Sequence, residues 1–190
     1  MNIPRNWDKT QAFDGNYEQM APGGHVCRII GARVETNDYG SERLVLALDV
    51  QEGSKYDGFY GKLFKSRQAE NASAKWPCTF YQFTLTNDGD ASPYFKGLIK
   101  CVEESNLGYK WNWQEATLKD KMIGVIFREE EFEAQDGSIK TTIRPAFIRS
   151  VAKIREGVDV PEIKRLNGKT GGNASVKPGF TQVDDDELPF

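Results

Sequence analysis

The alternation of apolar and polar residues predicts two strands near the start of the chain. Residues 26–35 are rich in strand-forming residues, and residues 37–40 contain turn-forming residues. Residues 43–50 then alternate, so one side of this segment is apolar, formed by Leu44, Leu46, Leu48 and Val50. We therefore expect an antiparallel pair with one side on a core.

A third strand is predicted at residues 78–85, whereas residues 51–75 show no regular pattern. The apolar side of this strand consists of Tyr81, Phe83 and Leu85, which we assign to the core. The mixed side then leaves Phe80 as the ring expected to be exposed.

One helix is predicted after the third strand. Ser92 is a suitable N-cap and Pro93 a suitable first helical residue. An apolar stripe follows at helical spacing, formed by Phe95, Leu98, Ile99 and Val102. The helix should end at residues 106–108, and a short helical turn is expected at 114–118. Trp111 and Trp113 are expected to seal the connection.

Two further strands are predicted at residues 122–132 and 139–154, joined by a hairpin turn at 135–138. Pro145 requires an edge position or a bulge. The predicted class is mainly β, with one helix between the third and fourth of five strands. This is the order of the OB fold, a five-stranded Greek-key barrel, although other α+β folds share it.

The composition predicts four regions. Residues 1–23 form a polar N-terminal arm, and residues 24–156 form the OB-type domain. Residues 157–183 are rich in Pro, Gly, Asn, Lys and Ser, which is typical of a flexible linker. Residues 184–190 form an acidic C-terminal tip.

Composition and charge exclude some classes of protein. No apolar stretch is long enough to span a membrane, and the N-terminus lacks the apolar core of a signal peptide, so we expect a cytoplasmic protein. The three cysteines lack metal-ligand spacing and should be buried thiols. The net charge is −3, but the tip holds four of the 28 acidic residues, so the rest carries 25 basic and 24 acidic residues. Such a body can bind nucleic acid if its basic residues cluster.

The chain ends in four carboxylates and an apolar tripeptide: Asp184, Asp185, Asp186, Glu187, Leu188, Pro189 and Phe190. Adjacent like charges stay solvated. The apolar end, with its terminal carboxylate, suits a shallow hydrophobic pocket rimmed by Lys or Arg on a partner protein. A solubilising tail is the alternative interpretation.

The segment between the second and third predicted strands combines cationic and aromatic residues. OB barrels bind single strands across the second and third strands, using cations for phosphates and flat rings for bases. Gly61 should let a nucleotide approach the backbone, and Tyr60 and Trp76 are the preferred base-stacking residues. The candidate site is Tyr39, Phe59, Tyr60, Lys62, Phe64, Lys65, Arg67, Lys75, Trp76 and Phe80, with Lys140 and Arg144 as weaker candidates; some of these rings could instead belong to the core.

Three body segments and the tip resemble phage- and mobile-element-encoded single-stranded-DNA-binding proteins: residues 22–27, 95–106 and 124–131. The resemblance implies an OB fold and sequence-independent binding and protection of single-stranded DNA during replication or recombination. It also implies a bacterial host cytoplasm, replication or recombination proteins docking at the tip, and no catalysis. The body departs from the cellular tetrameric proteins, so a homo-oligomer is compatible with the resemblance but a tetramer is not implied.

Two other classes of function are weighed. An enzyme is disfavoured, because the only histidine, His25, opens a strand and has no fixed acid or nucleophile nearby in sequence. The residues 168–170 resemble the end of a phosphate-binding loop, but Ile163 stands where that motif needs glycine. We expect no cofactor and no metal. A protein-only interaction module, such as a recombination mediator, fits the tip equally well and remains the alternative.

Overall fold

A computed structural model describes residues 2–5, 7–9, 19–37, 40–51 and 55–166. These residues contain five strands, β1 (Gly23–Thr36), β2 (Glu42–Val50), β3 (Thr79–Phe83), β4 (Met122–Glu133) and β5 (Ile139–Arg149). They also contain three α-helices, α1 (Phe59–Glu70), α2 (Pro93–Ser105) and α3 (Val151–Glu156), and two short 3-10 helices, Trp7–Lys9 and Glu115–Leu118. None of the helices in this part of the chain is both long enough and apolar enough to cross a membrane.

The five strands form one antiparallel sheet in the order β3-β2-β1-β4-β5. Because every neighbouring pair is antiparallel, the two edge strands, β3 and β5, run in the same direction. They approach each other, but within the described residues no backbone ladder joins them, so the sheet is not closed. The prediction of a mainly β protein with five strands is confirmed.

The first two strands form the predicted hairpin. Ile29 pairs with Leu48 and Val34 pairs with Leu44, with a bulge after Ile29. The apolar side of β2 is buried in the core, as the alternation predicts. Val45 lies on the opposite side of β2 and is also buried, so the outer side of this strand is covered at that residue.

The side of the third strand that faces the core is the opposite of the one predicted. Phe80 pairs with Leu46, and Tyr81 pairs with Val45. Paired residues point to the same side of a sheet, so Phe80 faces the core, where it is half-buried. The residues predicted to be buried are exposed instead: Tyr81, Phe83 and Leu85. The prediction is wrong because the register with β2, and not the apolar content of β3, decides which side faces the core.

Helix α2 begins and ends where the sequence predicts. The Ser92 hydroxyl accepts a hydrogen bond from the backbone N–H of Phe95, 3.4 Å away. At the other end, the side-chain amide of Asn106 donates to the backbone carbonyl of Met122 and accepts from its N–H, at 2.8 and 2.9 Å. Asn106 therefore joins the end of α2 to the start of β4. The buried side of the helix consists of Leu98, Ile99 and Val102.

Two helices differ from the predicted order. Helix α1 lies between β2 and β3, where no element was predicted. Helix α3 occupies residues that were predicted as the end of β5. It packs closely on the sheet, since a Cβ at Gly124 would clash with Ile154 of the helix, and just beyond the helix Val158 would clash with a Cβ at Gly24. These two glycines let the C-terminal segment lie flat on the strands.

The ends of the predicted domain are more firmly attached than expected. Met20, in the predicted arm, is buried in the core. Beyond α3, the backbone N–H of Lys164 donates to Glu129 and its carbonyl accepts from Glu131, at 2.9 and 2.8 Å. The described part of the predicted linker, up to Leu166, therefore lies along β4.

Candidate nucleic-acid interface

Tyr60, a preferred base-stacking residue, lies inside the protein. Its side chain is 5% exposed, and its ring stacks on Phe127 with centroids 6.2 Å apart and an angle of 23° between the planes. Its hydroxyl contacts Cys78, and burial raises the pKa of the tyrosine above its ordinary value. The expectation that Tyr60 stacks on a base is therefore wrong.

Gly61 faces a carboxylate and not an open surface. Its backbone N–H donates to Oδ2 of Asp49 at 3.0 Å, and the N–H of Tyr60 donates to Oδ1 at 2.9 Å. A Cβ at Gly61 would come within 2.8 Å of Oδ2. The glycine is needed for the approach of Asp49 to α1, which gives this position a structural role.

Trp76 and three other predicted residues come together beside α1. The indole N–H of Trp76 donates to the backbone carbonyl of Leu48 at 2.9 Å, which fixes the ring half-buried at the start of β3. The ring of Phe64 lies against it, with centroids 5.1 Å apart. Arg67 and Lys75 line the same open pocket as Trp76. We call Phe64, Arg67, Lys75 and Trp76 the helix-side cluster.

The other predicted site residues are distributed around this cluster. Lys62 and Lys65 are exposed on α1, and the Lys62 ammonium donates to the backbone carbonyl of Asp57 at 3.0 Å. Phe59 is half-buried and meets Tyr60 edge to face, with centroids 5.1 Å apart. Tyr39 and the tip residues 184–190 lie outside the described residues.

A second cluster lies on the outer side of β1, β2 and β3. Tyr81 is 51% and Phe83 37% exposed, and the guanidinium of Arg43 lies 4.5 Å from the Tyr81 ring centroid. The two rings are two residues apart on one strand, about 7 Å along its axis. With Arg33 and Glu35 from β1, these residues form what we call the outer-face cluster: Arg33, Glu35, Arg43, Tyr81 and Phe83.

The charges of the outer-face cluster are linked through one carboxylate. Glu35 accepts from Arg33 Nε at 2.8 Å and from a terminal nitrogen of Arg43 at 3.1 Å. These two arginines hold the pKa of Glu35 below its ordinary value, with the Arg33 hydrogen bond as the largest cause. Two cations and one anion thus lie beside two exposed rings, which leaves the cluster with a net positive charge.

Sequence reasoning missed Tyr81 and Phe83 as site residues because it placed them in the core. The signal that could have found them is the register of the β2–β3 pair. If Leu46 is buried, its partner Phe80 must share the buried side, and the neighbouring Tyr81 must point outward. The weaker candidates lie elsewhere: Lys140 is 3.8 Å from Asp136 in the hairpin, and Arg144 is exposed on β5 opposite Arg128.

The two tryptophans after α2 have different environments. Trp111 is half-buried against the core, so a sealing role fits it. Trp113 is 79% exposed and has a left-handed backbone conformation, with φ of 64°. The expectation that both rings seal this connection is therefore wrong for Trp113.

The described residues contain no group of three or more His, Cys, Asp or Glu side chains that could hold a metal ion. Cys27 and Cys78 are buried free thiols, and Cys101 is a half-buried free thiol. No protein-family model matches the chain, and no curated protein matches it. A functional assignment therefore depends on the geometry of the two clusters.

Proposed function

We propose that the chain binds single-stranded DNA without sequence preference through an OB-type barrel and docks partner proteins through residues 184–190. The strand order supports the barrel. Joining the parallel edge strands β3 and β5 would complete the ring β1-β2-β3-β5-β4, with α2 between the third and fourth strands. Helix α1 is then an insertion between the second and third strands.

The observation that carries the proposal is the pair of exposed rings, Tyr81 and Phe83, on the outer side of the β2–β3 pair. This is the side of an OB barrel on which single strands bind. Exposed rings can stack on unpaired bases of any identity, because every base has a flat face. Arg43 and Arg33 add the positive charge that phosphates require.

The helix-side cluster extends this surface along the chain. Trp76 precedes β3 and Phe83 ends it, so Phe83 follows Trp76 by seven positions, at most about 25 Å of chain. A single strand following β3 would meet Trp76 with Arg67 and Lys75 at one end and Tyr81 with Arg43 at the other. Stacking and phosphate contacts carry little sequence information, which fits a protein that coats and protects single strands.

The same surface supports binding in preference to catalysis. The carboxylate of the outer-face cluster, Glu35, is already ion-paired with Arg33 and Arg43, and the charged groups of the helix-side cluster are the cations of Arg67 and Lys75. We therefore propose a non-enzymatic protein that protects single-stranded DNA during replication or recombination of phage or mobile-element DNA in a bacterial cytoplasm, and that recruits replication or recombination proteins to it through the tip.

The proposal is tested by titrating the full chain into a fluorescently labelled oligo(dT), a mixed-sequence single strand and a duplex of equal length, each at two salt concentrations. We expect similar, saturable binding of both single strands that weakens as salt rises, and much weaker binding of the duplex. Tight duplex binding, or no retention of either single strand, would overturn the proposal.

The docking role of the tip has its own test. Removing Phe190 should abolish capture of partner proteins from a bacterial lysate and leave oligo(dT) affinity unchanged, since the tip is separate from both clusters in sequence. Phe180→Ala, an aromatic change in the predicted linker, is the matched control and should retain capture. Equal capture with and without Phe190 would refute the docking role.

A protein-only module is the second candidate, favoured by one observation. Leu85 continues the exposed row of Tyr81 and Phe83, and an apolar row on an edge strand could receive a protein. The titration separates the two candidates, since a protein-only module would leave oligo(dT) free.

A further inference from the structure

Glu35 occupies the position that an anionic ligand of the outer-face cluster would take. Its two oxygens bind two different arginines, with Oε1 at 2.6 Å from a terminal nitrogen of Arg33 and Oε2 at 3.1 Å from that of Arg43. A carboxylate held between two guanidinium groups has the same charge and hydrogen-bonding demand as a phosphate diester oxygen pair.

The two arginines differ in how firmly they are held. The Arg33 side chain is 60% exposed, against 33% for Arg43. Arg43 also lies over Tyr81, and its Nε is buried without a hydrogen-bond partner among the described residues. Arg33 is therefore free to change partner, whereas Arg43 stays beside the ring.

We infer that Arg33 and Arg43 form a phosphate subsite beside Tyr81, and that Glu35 is its internal counter-ion in the unbound protein. The inference rests on the proposed function and deepens it. When a single strand binds, the ion pair between Arg33 and Glu35 breaks. The Arg33 guanidinium then pairs with the phosphate next to the base that stacks on Tyr81. Glu35 thus lowers the affinity for DNA, because each binding event must first break its ion pair with Arg33.

Glu35→Gln tests this subsite with oligo(dT) as the probe. Removing the competing carboxylate of a surface ion pair should raise affinity about two- to fivefold. It should also steepen the salt dependence of binding, by up to about 0.7 in the logarithmic slope for one phosphate. Glu156→Gln is the matched control, because Glu156 is paired with Lys153 on α3 and the charge change is the same. It should bind like the wild type.

Two further measurements keep the test specific. In an Arg33→Ala background the gain from Glu35→Gln should shrink, because only the ion pair of Glu35 with Arg43 then remains to compete with the phosphate. The rise in affinity caused by Glu35→Gln should also be seen with an abasic strand, which keeps the phosphates and lacks the bases. Arg33 is exposed and Glu35 is half-buried, and a circular dichroism melt establishes that the variants are folded.

Failure of this inference is distinguishable from failure of the proposed function. If the wild type does not bind oligo(dT), the proposed function fails. If the wild type binds, but Glu35→Gln binds equally or more weakly, or gains no more than Glu156→Gln, the function stands and the phosphate subsite is refuted. In that case Glu35 only forms surface ion pairs and does not compete with DNA.

Discussion

The carboxylate of Asp49 on β2 binds the backbone N–H of Gly61 on α1, 3.0 Å away. Its other oxygen accepts from the N–H of Tyr60 and of Val50 itself, each at 2.9 Å. The first residues of a helix have free N–H groups, and Gly58, which precedes α1, offers no side-chain cap. Asp49 therefore supplies from the sheet the cap that the helix lacks locally.

Asp49→Ala should destabilise the fold by about 1–3 kcal/mol, because it leaves partly buried N–H groups without acceptors. Urea unfolding at neutral pH measures this loss. An unchanged unfolding midpoint would show that water replaces the carboxylate.

The loss of stability in Asp49→Ala should depend on pH. Burial raises the pKa of Asp49, as the largest effect, although the three N–H groups lower it. The folded chain therefore binds this proton more tightly than the unfolded chain does, so the stability contributed by Asp49 increases as pH falls toward its ordinary pKa of 3.8. The difference between wild type and Asp49→Ala should grow on acidification.

Asp136 is the control, because its pKa is lowered by folding whereas the pKa of Asp49 is raised. The Ser138 hydroxyl is the largest cause that lowers the pKa of Asp136. The stability that Asp136 contributes to the fold is present above the pKa that Asp136 has in the unfolded chain, and it is lost as pH falls through its pKa in the folded chain. The difference between wild type and Asp136→Ala should therefore shrink on acidification, and two variants with the same trend would contradict these assignments.

Tyr60→Ala should reduce stability without acting on DNA directly. The buried ring stacks on Phe127, and deleting an aromatic side chain from a core costs about 3–5 kcal/mol. Tyr94→Ala, the same change at a residue that is 43% exposed, should have little effect. Tyr60→Phe keeps the ring and should bind oligo(dT) like the wild type; a large loss of affinity in this folded variant would show that the hydroxyl reaches DNA.

Trp76 should report DNA binding through its fluorescence. It lines the open pocket with Arg67 and Lys75, so a base stacked there would quench it. Trp76→Phe should remove most of the quenching by oligo(dT), whereas Trp113→Phe, which changes a ring outside both clusters, should keep it. The reverse pattern would place the strand on the connection after α2.

The three thiols should differ in reactivity. Burial raises the pKa of Cys78 to about 12 and the pKa of Cys27 well above its ordinary value. Cys101 is only half-buried. Because the thiolate is the reactive form, one thiol per chain should react with iodoacetamide at pH 8, and three after unfolding in urea. Mass spectrometry should locate the first adduct on Cys101; early modification of Cys27 would show that the core opens.

Local patterns predicted some elements well. The β1–β2 hairpin has an alternating strand and a turn in adjacent residues, and α2 has its own cap at Ser92 and an apolar stripe ending before Asn106. In both cases the determining contacts lie within a few residues. The sequence alone was therefore sufficient.

Other elements depend on residues far away in the chain. Helix α1 has its cap at Asp49, eleven residues before Tyr60, and no such cap can be read from the helix itself. The orientation of β3 depends on its pairing with β2, since Phe80 and Tyr81 are both aromatic and their strand partners decide which one faces the core. The exposed rings of the candidate site were misplaced for that reason.

The most direct test of the account compares the affinity of a Tyr81→Ala, Phe83→Ala variant with that of Phe132→Ala for labelled oligo(dT). Phe132 is the matched control, a strand residue 39% exposed on β4, against 37% for Phe83. Each lost stacking contact should cost about 1–3 kcal/mol of binding free energy. We therefore expect a large loss of affinity for the double variant and wild-type affinity for Phe132→Ala. Equal affinity of the two variants would contradict the account.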